Sequence, residues 1–332
     1  MKIGMLFPGF GSQSVGMGKD LYDDSRIVQE HFEEASNCLN ENFVKLCFAS
    51  SDAELSKINN AYPALFLVSV SIAALLKEKG IVPDVVAGCD IGAFSAISSV
   101  GGLSIPDGLY LLNKYSQFYQ EALEEIPEIS CMRFQGVPRD VLKSECSAVS
   151  LNVAPVSIAL FYNEFDHVVV GQKSSVEALS SQLFGQPGVK IDHYSAAMGL
   201  HSSLMNNVME QFIVYLAKVD FHDVSIPFVS GVDGKVIQSG EDVKQAIVSQ
   251  INHSIVMDQV LDKFNDCEII IEVGPGGRLS SVAEKQFANK KIISVQKQSD
   301  VEGLVALLNP EPMNDDCDVE NEDSIVSESV NL

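Results

Sequence analysis

Apolar residues fall along this chain in two textures. Short continuous runs bounded by glycine or proline read as buried strands at 2–7, 85–87, 226–230, 267–273 and 291–295. Between them lie longer segments of helical character: 25–48, 52–59, 63–79, 93–100, 107–123, 198–218, 241–252, 256–264 and 279–288. The segment 63–79 is apolar on every face, which predicts a buried helix. Strands alternating with helices call for a parallel α/β sheet. From about 128 the texture changes to strand 129–137, helix 139–146, strands 155–162 and 167–170, helix 174–183 and strand 189–194. That βαββαβ order predicts a ferredoxin-like unit. The expected organisation is one core formed by 1–127 and 195–308, with 128–194 inserted as a subdomain. No internal repeat is present.

One stretch organises the rest. Val85-Val86-Ala87 leads into a turn between Gly88 and Gly92, and small residues from Ala93 continue as a helix. Strand, tight turn and helix, with a glycine two residues either side of the apex, is the layout of a nucleophile elbow. The helix points its free N–H groups at the apex. The usual apex residue is Ser; here it is Asp90. A second turn, Pro8-Gly9-Phe10-Gly11, has glycines flanking Phe10, which suggests close approach of the backbone to another group.

Composition narrows the class. The chain has 332 residues, 46% hydrophobic and 20% charged, as globular proteins have. No stretch reads as a membrane span. Seven scattered cysteines without a CxxC pair suit a reducing cytoplasm and argue against a zinc site. The net charge of −23 argues against nucleic acid or anionic membrane as a partner. Residues 309–332 hold eight acids and no Lys or Arg, and read as a disordered acidic tail.

Four motifs in order then carry a resemblance. Phe7-Pro8-Gly9-Phe10-Gly11-Ser12-Gln13 with Gly16-Met17-Gly18 resembles the FPGQGSQxxGMG opening of malonyl-CoA:acyl carrier protein transacylases. Gly88-Cys89-Asp90-Ile91-Gly92 is similar to their GHSLG elbow, Leu200-His201-Ser202-Ser203-Leu204-Met205 to their SHCxLM stretch, and Ile271-Glu272-Val273-Gly274-Pro275-Gly276 to their (I/V)EVGPG strand end. The resemblance implies an α/β-hydrolase-like parallel-sheet core with a ferredoxin-like insertion. It implies Asp90 at the nucleophile position, His201 as base, Gln250 as the carbonyl that orients it, and the backbones of Phe10 and Ile91 as oxyanion donors. It also implies acyl carrier protein and acyl-CoA as partners of a cytoplasmic monomer. No bound cofactor is implied: malonyl-CoA or another acyl-CoA is substrate, and phosphopantetheine is carried by the partner.

The departures concentrate where the chemistry should be. Asp90 replaces Ser, Cys89 replaces His and Phe10 replaces Gln. Tyr62 stands where Gln precedes Pro63, and Tyr115 where an Arg would clamp the malonyl carboxylate. Leu160 and Tyr162 replace paired Asn, and His253 another Asn. The turn residues Pro8, Gly9, Gly11, Gly88, Gly92, Gly274 and Pro275 are kept. A carboxylate that attacks a thioester gives a mixed anhydride, a poor carrier of acyl groups. Asp90 can instead pair with His201 and cap the elbow helix as an anion. Three functions stay open: an acyltransferase of altered or weak activity, a non-catalytic binder of carrier protein or acyl-CoA, and a hydrolase using Asp90 and His201. Arg278, Lys285, Lys290, Lys291 and Lys297 form a further candidate, a basic docking patch for the carrier.

Overall fold

The apolar runs pair into two sheets. The computed structural model describes residues 1–126, 128–195 and 200–309. Its strands are β1 (Ile3–Phe7), β2 (Val85–Gly88), β3 (Ile129–Gln135), β4 (Val156–Asn163), β5 (Asp166–Gln172), β6 (Lys190–Tyr194), β7 (Phe228–Val229), β8 (Val236–Ile237), β9 (Ile255–Val256), β10 (Ile269–Val273) and β11 (Lys291–Val295). The first sheet runs β11-β10-β1-β2-β7-β8. All its neighbours are parallel except β7 and β8. Every residue of β1, β2 and β10 is buried, as parallel strands covered on both faces require.

The second sheet runs β6-β3-β5-β4-β9. Its first four strands are antiparallel neighbours, in the order a ferredoxin-like unit adopts. β9 adds to β4 in parallel from outside 128–194, so the core lends the inserted unit an edge strand. Arg139 ties the two further by an ion pair to Asp258. The fold is mixed α/β, a parallel-sheet core carrying a ferredoxin-like unit.

Three local expectations are corrected. The buried helix runs Ile58–Glu78 and holds Pro63 in its interior rather than starting there. Ile58, Ala61 and Tyr62 are buried on the preceding turn, and their packing outweighs the one hydrogen bond that proline removes. By length and composition this helix could cross a membrane, contrary to the sequence reading, yet 83% of its apolar window is buried in the core. The segment 256–264 begins as β9 and only then turns helical, at Met257–Leu261. The acidic tail, from 310 onward, lies outside the described residues.

The C-terminal ends of β1, β2 and β10 lie side by side, so the turns after Phe7, Gly88 and Val273 meet at one edge of the sheet. Helix Arg278–Gln286 follows the last of these turns. Glu272, fully buried at the end of β10, accepts from Leu279 N–H at 3.2 Å and Ser280 N–H at 2.7 Å, which fixes that helix start. Burial pushes its carboxyl up and those bonds oppose it.

Candidate active site

The elbow is formed as its glycine spacing requires. Asp90, between β2 and helix Gly92–Ser99, has φ 55, in the left-handed region. Asp and Asn tolerate that region better than other non-glycine residues, so a carboxylate at the apex eases the backbone. A Cβ on Gly92 would lie 2.2 Å from the Phe7 carbonyl oxygen, so the elbow helix can seat against β1 only with glycine there. A Cβ on Gly9 would lie 2.5 Å from the Cys89 carbonyl oxygen, the close approach anticipated for the opening turn.

That approach brings the candidate residues together. Phe10 N–H donates to Asp90 Oδ2 at 3.3 Å. Asp90 Oδ1 lies 3.5 Å from His201 Nε2, within ion-pair reach. Nε2 has no hydrogen-bond partner among the described residues. His201 Nδ1 is 2.7 Å from the Gln250 carbonyl oxygen. A carbonyl only accepts, so Nδ1 carries a hydrogen and Nε2 faces Asp90. Gln250 also donates through Nε2 to the Asp90 carbonyl at 3.3 Å. Asp90 and His201 are 5% and 3% exposed, which leaves water little room to screen the pair.

Burial pushes the Asp90 carboxyl above the ordinary carboxylate range. His201, the Phe10 N–H and then the Ile91 N–H oppose that shift. Asp90 Oδ2 therefore sits on the Phe10 N–H, and Oδ1 faces the imidazole.

A group whose folded-state pKa is raised gives stability at pH below its unfolded value, and that stability is lost as pH climbs through the folded one. Asp90→Asn removes this loss. An Asn amide can also place its oxygen on Phe10 N–H and its NH2 on an unprotonated His201 Nε2. We expect Asp90→Asn to match the wild type near pH 4 and to exceed it at pH 7 by on the order of 1 kcal/mol. Urea titrations across that range check this; a wild-type advantage at pH 7 would contradict the buried-carboxylate assignment.

The cavity against Asp90 is small, about 20 Å³, enough for one water. Phe10, Cys89, Leu160, Tyr162, Tyr194 and Arg278 are among its lining residues. Burial raises the Cys89 thiol to about 12, which keeps it protonated at neutral pH. Tyr62 and Tyr115 do not line the cavity but fill the space behind it. Tyr62 packs on Phe10, Tyr115 and Tyr119 with ring centroids 5.7, 5.7 and 6.0 Å away. Tyr115 also packs on Phe212 at 5.2 Å. Tyr62 and Tyr115 are buried, and their phenols are pushed well above the usual range by burial and then by Asp90. His253 is exposed at a helix end, on the Ser249 carbonyl.

Sequence reasoning missed two lining residues. Tyr194 closes β6 directly before the His201 segment, a position whose outcome depends on strand register. Arg278 was grouped with surface lysines, whereas Gly277 at φ 81 turns it onto Tyr194, away from the patch. Lys290 is also lost to the patch: its Nζ donates to the carbonyls of Asn265 and Cys267, at the other end of β10. The five cations do not form one surface.

With this geometry in view, the comparisons are specific. Residues 5–311 match the acyl transferase domain family. The malonyl CoA-acyl carrier protein transacylase of Bacillus subtilis strain 168 is 31% identical over 313 residues, 93% of this chain and 98% of that protein. The malonyl-CoA:acyl carrier protein transacylase structure from Helicobacter pylori is 26% identical at a TM-score of 0.85, over 93% of this chain and 98% of that one. A structure of a type II PKS acyl-carrier protein in complex with its malonyl-transacylase is 25% identical at a TM-score of 0.87, over 92% and 100%.

Proposed function

Since the chain belongs to the acyl transferase domain family, among whose members it resembles malonyl CoA-acyl carrier protein transacylases, we propose that it engages acyl-CoA and acyl carrier protein but transfers malonyl groups weakly or not at all. The observation that carries this reading is the Asp90 carboxylate on the Phe10 N–H beside His201. Transfer needs a nucleophile that forms a durable acyl-enzyme and free N–H donors for the oxyanion. Asp90 offers neither. Partner binding is supported by the similar structure of a malonyl-transacylase with an acyl-carrier protein. The core that presents the cleft is kept, with the strand-end turns after Phe7, Gly88 and Val273 still converging on it.

Intact-mass measurement of the wild-type chain after incubation with malonyl-CoA is expected to show no covalent adduct. Titration with phosphopantetheinylated carrier protein is expected to show saturable binding. Malonyl transfer at about 1 s⁻¹ or faster, the range of ordinary enzymes, would overturn the reading. Catalytic release of free acid without transfer would replace it with a hydrolase.

A further inference from the structure

We infer that Arg278 is the anion-reading residue of this cleft, taking an anionic group of a bound CoA thioester at the cavity mouth. This rests on the reading that the cleft engages such thioesters. The position where the resemblance calls for a cation holds Tyr115, turned into an aromatic pack. Arg278 is the one Lys or Arg among the described residues that lines the cavity Asp90 shares. Its Nη1 donates to the Tyr194 hydroxyl at 2.9 Å. That hydroxyl lies 2.9 Å from the hydroxyl of Tyr162, which is 1% exposed. The guanidinium also sits 5.8 Å from the Tyr194 ring centroid.

The charge is held but not neutralised. Arg278 is half-buried, and among the described residues no carboxylate lies within ion-pair distance of it. In a chain of net charge −23 an acidic partner was abundantly available. Glu272, at the end of β10 before this turn, spends its oxygens on Leu279 and Ser280 N–H, so the helix start offers no anion site of its own. A guanidinium has five donors in a planar fork, and two phenols beside it can turn their hydroxyls to the same ligand. Such a set matches a carboxylate or a phosphate oxygen. A carboxylate on the acyl group and a phosphate of CoA are the two sources of that chemistry.

The test is calorimetric titration of the wild-type chain, Arg278→Gln and Arg278→Lys with malonyl-CoA, acetyl-CoA and free CoA. Thermal melts of the variants confirm that they fold. Loss of one charge-assisted contact is expected to weaken binding about tenfold in Arg278→Gln and less in Arg278→Lys. A loss confined to malonyl-CoA assigns the acyl carboxylate; an equal loss for all three ligands assigns a CoA phosphate. Unchanged affinities in Arg278→Gln overturn the inference while leaving thioester binding intact. If the wild-type chain binds neither these ligands nor phosphopantetheinylated carrier protein, the underlying reading falls, and this inference with it.

Discussion

Asp90→Ser is expected to take up an acyl group from acetyl-CoA or malonyl-CoA as a covalent ester visible by intact mass, where the wild-type chain shows none. The substitution acts on two steps at once. It supplies a hydroxyl at the apex that the elbow already presents, beside His201 with its Nδ1 on the Gln250 carbonyl. It also frees the Phe10 and Ile91 N–H groups from the Asp90 carboxylate. A single oxyanion donor is worth about 10²–10³ in rate, so a gain of at least roughly a hundredfold in acyl transfer is expected. Removing the carboxyl opens the space it fills, which matches an acetyl carbonyl in size. Larger groups meet Phe10 and Leu160 at the 20 Å³ cavity. Acetyl loading is therefore expected to exceed malonyl loading if Arg278 takes a CoA phosphate, and the order to reverse if it takes the acyl carboxylate. A folded Asp90→Ser chain that stays unacylated with both donors would show that His201 cannot reach the new hydroxyl, and the idea of a blocked but intact site would fail.

What could be read ahead of the structure follows from which constraints are local. The elbow was legible because its glycines answer a backbone need: Gly92 must clear Phe7 whatever the surrounding side chains are. The convergence of Phe10, Asp90 and His201 was legible only through the order of four motifs, and that of Gln250 only through the resemblance, since they lie far apart in the chain. The start of helix Ile58–Glu78 was not, because proline is a strong local signal and the packing that overrides it is tertiary. The two-residue strands β8 and β9 carry no period to detect, whereas β7 falls inside the apolar run 226–230. Arg278 shows the limit most clearly. After a turn of glycines an arginine can face solvent or the cleft, and the choice is made by Tyr194, at the end of a strand in the other sheet. Tyr115 shows the reverse. Its position was read by resemblance, but its environment is set by Tyr62, Tyr119 and Phe212, which no single position reveals.

That environment makes Tyr115→Arg a sharp test, because matching the resemblance at this position should damage the protein. Tyr115 is 2% exposed and lies among three aromatic rings. A guanidinium there loses its hydration and gains few acceptors; the Tyr62 hydroxyl is one that lacks a partner among the described residues. Asp90 is close enough to act on the Tyr115 phenol and is the carboxylate that could answer a new cation. The two positions should therefore couple. In the wild-type background Asp90 offsets part of the burial cost, and its own raised carboxyl is drawn back toward the charged form. In the Asp90→Ser background nothing does, and an unpaired buried charge costs about 3–5 kcal/mol. For a chain of this size that is a fall of roughly 4–7 °C in Tm relative to Asp90→Ser. Tyr115→Arg alone should fall by clearly less, and the difference measures the interaction between Asp90 and the introduced guanidinium. Equal falls in both backgrounds would mean that the two sites do not communicate. A folded, undamaged double variant would mean that the aromatic pack behind Asp90 can open to admit a charged group.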